Sequence, residues 1–139
     1  MRQSMIIFLV LICGVIGIYC GGASSGIEGV WQLTGITVTT SEGTVDIENA
    51  GSGRLMLQNG QYSQVWMQSD RLYSIPPTNL EKIDAYDSFD ASAGSYTYTN
   101  GQLTLSPQIA RDPSGVGQAT TTTVTLEGDT MRRTRERPD

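Results

Sequence analysis

The side chains best suited to holding a small molecule are aromatic, and they recur at alternate positions. Tyr62 and Trp66 share a parity within one segment, and Tyr96 and Tyr98 within a second, so each pair would project from one face of a β-strand. Around a hollow, four such rings would make the mostly apolar wall, with few polar groups, that suits a small ligand. Without a hollow they are a packed core or an outer docking surface. Arg54 and Arg71 add charge that could hold an anionic head group, although each reads equally as a solvated surface residue. Asp84, Asp87 and Asp90 recur every third residue, which would set them along one side of a helix. A calcium loop needs oxygens at alternate positions and a central glycine. Solvated carboxylates on a helix face and at its end account for the spacing without a metal.

Other chemistry is excluded by what is missing. Histidine is absent, Lys82 is the only lysine, and the two cysteines are Cys13 and Cys20. A Ser–His or Cys–His nucleophile and a His/Cys zinc site therefore have no material to work with. The composition points to a binding or interaction protein rather than an enzyme, with no cofactor. The formal charge of the chain is −5, and from Cys20 onward eight basic residues face fourteen acidic ones. That balance opposes nucleic acid as a partner and anionic lipid head groups as the main attraction.

The N-terminus says where such a protein works. From Met5 to Tyr19 no residue is charged, about fifteen positions where a membrane span needs about 20. That length suits the apolar region of a secretory signal. Cys20 follows, then the small residues Gly21 to Gly26. A short apolar run, a cysteine and a Gly/Ser stretch resemble a bacterial lipoprotein signal. In that case Cys20 is the lipidated first residue, tethered to the membrane of the cell envelope. Tyr19 departs from the pattern, which has Gly, Ala or Ser before the cysteine. Ordinary cleavage after Ala23, giving a soluble secreted or periplasmic protein, and retention as an uncleaved anchor are the alternatives. The chain thus divides into a signal segment (1–19), a linker (20–26), one domain (27–135) and a tail (136–139). With both cysteines upstream, the domain has no disulfide and depends on its core.

Within that domain the residues read as short strands punctuated by turns. Ile27 to Thr40 forms a long first strand in which Trp31 and Leu33 share a parity that Ile36 and Val38 do not. Gly35 lies between them, as at a β-bulge or sharp bend. Thr44 to Ile47 is a short second strand. Asn59-Gly60 joins Gly53–Gln58 to Gln61–Gln68, and Asn100-Gly101 joins the Tyr96/Tyr98 strand to Leu103 and Leu105; Asn-Gly is the strongest local hairpin signal. Thr120 to Leu126 turns at Gly128-Asp129 into a last strand from Thr130 to Arg135. The Thr120–Thr123 run carries no chemistry of its own. Between the hairpins, Pro76-Pro77 stops a strand, and apolar residues at 80, 83, 86 and 89 suggest a short helix capped by Thr78 or Asn79. About eight strands in meander order suggest an all-β, antiparallel up-and-down barrel, because closure removes exposed edges.

Gly29-Val30-Trp31-Gln32-Leu33 resembles the Gly-x-Trp opening of lipocalins and related calycin barrels. Gly53 to Leu57, Gly60 to Ser63, Trp66 to Arg71, Ala93 to Tyr98 and Leu126 to Met131 follow in an order and spacing similar to the bacterial lipocalin-like domain family. The resemblance spans residues 27–133. It implies an eight-stranded calycin barrel, a fold that can either hold a small apolar or amphipathic ligand or fill its interior with side chains. Tyr62, Trp66, Tyr96 and Tyr98 could line such a cavity, with Arg54 or Arg71 near its mouth. It also implies a structural closure in which Gly29 and Trp31 plug one end, with an arginine of the last strand packed across the indole. If Met131 points inward, period two sends Arg133 inward as well, so Arg133 is the candidate, for a stack of about 0.5–2 kcal/mol. A solvated basic tail is the alternative for Arg135 and Arg137. The competing function is an envelope protein–protein interaction module with a filled barrel and no ligand. An enzyme using carboxylates or tyrosines at the barrel mouth is the weakest of the three.

Overall fold

The computed structural model describes residues 7–15, 26–40, 42–47 and 50–137, and side chains between 26 and 135. Cys20, most of the linker and the last two residues lie outside the described residues. The chain is mostly antiparallel β, with strands β1 (Ile7–Val15), β2 (Gly29–Thr40), β3 (Gly43–Ile47), β4 (Ser52–Gln58) and β5 (Gln61–Met67). The helix α1 (Asn79–Asp87) precedes β6 (Phe89–Thr99), β7 (Gln102–Ala110), β8 (Thr120–Glu127) and β9 (Thr130–Arg137). From β9 back to β4 each strand pairs with its sequence neighbour, and β4 pairs with the first part of β2. The hairpin strand β3 takes the second part of β2. These eight strands form a curled half-barrel, and β1 pairs with both β2 and β9.

The turns follow from residue type. Asn59 and Gly60 have φ of 51° and 75°, and Asn100 and Gly101 have 52° and 75°. Both central residues of each turn are left-handed, which matches the right-handed twist of the flanking strands. At Gly35 the change of face is real. Opposite β1 the register shifts between Ile12 and Cys13, whose partners are Gly35 and Leu33. Leu33 and Ile36 consequently line the same hollow. A second shift lies at Ala93/Gly94, opposite Gln108 of β7. There a side chain on residue 94 would collide with the Ser106 carbonyl oxygen, so the close approach of two backbones requires glycine.

The concave face is packed solid at one end. Ile27, Leu57, Leu103 and Met131 are fully buried, and Trp31, Leu55, Tyr62, Tyr96, Leu105 and Val124 join them. The Trp31 indole N–H donates to the Ile27 carbonyl at 2.8 Å, within this cluster. Gly29, which opens β2, has φ of 143°, a conformation that favours glycine. Just outside, the Glu28 carboxylate accepts from the Asn59 amide at 3.0 Å and from the Tyr96 hydroxyl at 3.0 Å. It ties the strand entry to the β4–β5 turn and to β6. Burial pushes the Tyr96 phenol above its ordinary pKa, and the Glu28 carboxylate reinforces the shift.

The helix forms where periodicity suggests, with Thr78 as its cap, but its apolar side is not packed. No residue of α1 is buried, and Leu80, Ile83 and Tyr86 stay 73%, 55% and 49% exposed. Polar contacts hold it instead. Thr78 and Glu81 form a reciprocal capping box, and Glu81 also accepts from the Ser74 amide and hydroxyl. At the other end Arg71 donates to the Ala85 carbonyl at 2.6 Å and Arg111 to the Tyr86 carbonyl at 2.7 Å. These cations meet the negative end of the helix. The Arg111 guanidinium also lies 4.2 Å over the Tyr86 ring. Asp84 and Asp87 are helical, but Asp90 is not on the same helix: the chain turns into β6 at Phe89.

Two outcomes test this account. Replacing Trp31 by alanine should cost roughly 3–5 kcal/mol of stability, measured by urea denaturation, because it empties the centre of the packed end. The hydrogen bonds from Ser74 and Thr78 hold the Glu81 carboxyl down to about 2 from an ordinary 4.5. A depressed carboxyl stabilises above its unfolded pKa and loses that contribution as pH falls. Helix α1 should therefore loosen between about pH 4.5 and 2, ahead of the strands, seen as selective loss of amide protection in residues 78–87. In Glu81→Gln the loosening should be present at neutral pH and independent of pH in that window.

Candidate functional site

Away from the packed end the concave face stays open, leaving a cleft of about 650 Å³. The same period-two alternation that fills the core builds its walls. Leu33 and Ile36 come from β2, Leu55 from β4, Trp66 from β5, and Leu105 and Pro107 from β7. Trp66 is anchored by its indole N–H, which donates to the Ala50 carbonyl at 2.7 Å. Tyr62 lies at the boundary of core and cleft, 4% exposed, with its hydroxyl donating to Ser92 Oγ at 3.2 Å. Rings and branched chains make most of this surface, so covering it from water would be favourable.

The polar part of the wall includes one buried charge, Arg133. Met131 is buried and β9 alternates, so Arg133 points inward and is only 7% exposed. Its Nε donates to Thr122 Oγ1 of β8 at 3.4 Å, and its NH1 to Gln64 Oε1 of β5 at 3.0 Å. Thr122 is itself buried and donates to the Leu103 carbonyl at 3.4 Å. A guanidinium is costly to bury unless its donors are met, and Thr122 and Gln64 are two of the groups that meet those of Arg133. Arg135, the next position of the same parity and itself exposed, also lines the cleft, as do Thr120, Asp90 and Asp112. Asp112 is held below its ordinary pKa by the backbone and hydroxyl of Ser114. Arg111 lies 3.7 Å from Asp90 in an ion pair.

The candidate residues from the sequence are thus divided by the structure. Tyr62, Trp66 and Arg54 border the cleft, Arg54 as an exposed residue. Tyr96 and Tyr98 do not line it. Tyr96 belongs to the packed end, committed to Glu28, and Tyr98 packs against the outside of that same cluster. Their strand changes register at the Ala93/Gly94 bulge, below which it runs along the filled end. Arg71 does not face the cleft either, since its donors serve the helix end. Gly29 and Trp31 lie at the closed end, and Arg133 points into the cleft.

Sequence reasoning missed Gln64, Thr122 and Glu28. A neutral Gln or Thr on a strand carries no sign of what faces it across the sheet. The parity of Gln64 with Tyr62 and Trp66 is the one signal that would have placed it inside. Among the described residues no cluster of His, Cys, Asp and Glu could hold a metal ion. Searches of protein-family models, of curated proteins and of solved structures find nothing that matches this chain.

Proposed function

We propose that this chain is an exported, lipid-tethered, lipocalin-like binding protein that carries a small amphipathic ligand in its cleft. The observation that supports this most is an apolar hollow whose wall also carries the buried cation Arg133. A hydrocarbon chain or ring system would lie against Leu33, Ile36, Trp66 and Leu105. A carboxylate or similar anionic head would approach the guanidinium, where a charge-assisted hydrogen bond gains strength in a partly dry site. Among the described residues the cleft wall is mostly rings and branched chains, which suits binding rather than turnover.

Dodecanoate and dodecanol distinguish the two halves of this proposal. Native mass spectrometry of the purified protein should show one bound dodecanoate, and calorimetry should show dodecanol binding more weakly. Arg133→Met should weaken dodecanoate about tenfold or more, the loss of one charge-assisted contact, and leave dodecanol nearly unchanged. Failure of both ligands to bind would remove the carrier function. Equal loss of both would remove the role of Arg133.

The tether makes a separate prediction. Radiolabelled palmitate should enter the protein in bacterial cells, and Cys20→Ser should abolish it. An unlabelled soluble product that begins near Ser24 would instead support ordinary secretion.

A second function is favoured by a different observation. Leu72, Ile75, Leu80 and Ile83, along α1 and the loop before it, are 84%, 97%, 73% and 55% exposed. Apolar residues grouped this way mark interaction surfaces, which suits the alternative of a module that docks an envelope protein.

A further inference from the structure

The half-barrel leaves two strand edges facing each other without touching. One edge of β2 is taken by β4 and β3, and β9 is paired on one side with β8. Among the described residues there is no β2–β9 pairing; both remaining edges meet β1 alone. Ile7–Val15 runs antiparallel to each of them. Val10 stands opposite Thr37 of β2 and Thr134 of β9, and Leu11 opposite Ile36 and Arg133. The gap is therefore one strand wide.

Open edges carry rows of unmet amides and carbonyls, which recruit another strand. A single strand in this gap satisfies two edges at once, where ordinary edge addition satisfies one. Ile7–Val15 suits the place: it has no charge and no proline, and it is rich in branched residues. The gap also opens sideways onto the cleft, since Leu33 and Ile36 on one edge and Arg133 and Arg135 on the other are cleft residues.

We propose that the β2–β9 gap is an acceptor site for one extended apolar strand, filled in the intact chain by its own Ile7–Val15. The segment that addresses the chain for export is then also the strand that closes its barrel. Its removal opens the cleft along one side; this consequence, unlike the site itself, rests on the proposed export and cleavage.

The test uses full-length chain made by cell-free synthesis, which retains the N-terminal segment, with Cys13 and Cys20 changed to serine. In that background V10C/T37C and V10C/T134C should each form an intramolecular disulfide under mild oxidation, and V10C/T104C should stay reduced. No cross-linking above that control overturns the proposal. So does cross-linking of one pair alone, because a strand on a single edge closes nothing. The second readout is hydrogen exchange. In the wild-type full-length chain, amides of residues 31–39 and 130–137 should be protected from hydrogen exchange alongside those of β4 and β7. Val10→Pro should speed exchange at both edges by about tenfold or more while β4 and β7 keep their protection. Edges that exchange freely in the wild-type chain, or are unmoved by Val10→Pro, overturn the proposal. Neither readout depends on ligand or lipidation, so its failure is separate from theirs.

Discussion

The packing of Trp31 against the closed end, with its indole N–H on the Ile27 carbonyl, is the contact on which the remaining geometry depends. A disulfide-free sheet of about a hundred residues has one concave face on which to bury its apolar side chains. Ile27 is fully buried at one end of that face, and the indole packs in the same cluster. Leu57, Leu103 and Met131 then pack at essentially no exposure. Glu28 seals the same end from outside by joining the Asn59 turn to Tyr96. With one end closed in this way, the strands diverge towards the other, and the hollow that remains is a consequence of where the bulk was spent.

The alternation of the strands decides what faces that hollow. Along β9 the series of one parity runs Met131, Arg133, Arg135, so a buried methionine gives way to a buried arginine within a single step of the pleat. The arginine is tolerable because β8 and β5 present Thr122 and Gln64 at the matching height. Removing either acceptor would leave a guanidinium donor short in a confined site, which costs about 1–3 kcal/mol. Apolar packing and polar satisfaction are thus stacked in layers along one axis, and the boundary between them is Tyr62.

Much of this layering was legible in the residues. The two Asn-Gly turns, the change of parity at Gly35 and the inward position of Arg133 all follow from local rules that the tertiary structure leaves intact. The helix was legible from Thr78 and its apolar spacing, yet its surroundings were not. Leu80, Ile83 and Tyr86 have the spacing of a buried face and are exposed, because Arg71, Arg111 and the Glu81 capping box hold α1 by its ends. Tyr96 and Tyr98 alternate as cavity-lining residues would, but height along the barrel, which alternation does not encode, places them at the filled end. The Gly94 bulge was equally hidden, since it arises from the approach of β7 and leaves no mark in β6 beyond the glycine itself. What escapes a reading of single strands is which residues meet across the sheet.

Charge adds a last constraint on what could enter the cleft. The chain is acidic, at −5 overall, so a diffusing anion meets net repulsion and a cation net attraction. The cleft itself is mixed: Arg54, Arg133 and Arg135 line it together with Asp90 and Asp112, and Asp90 already faces Arg111. A negative group on the proposed guest would gain most beside the buried Arg133, where the apolar wall lowers the local dielectric and a single pairing counts for more than at the surface. A small free anion would leave the hydrocarbon wall wet, and a purely apolar guest would make no use of the charge. The proposed anionic amphiphile would meet both parts of the wall at once, apolar body against Leu33, Ile36, Trp66 and Leu105 and head towards Arg133.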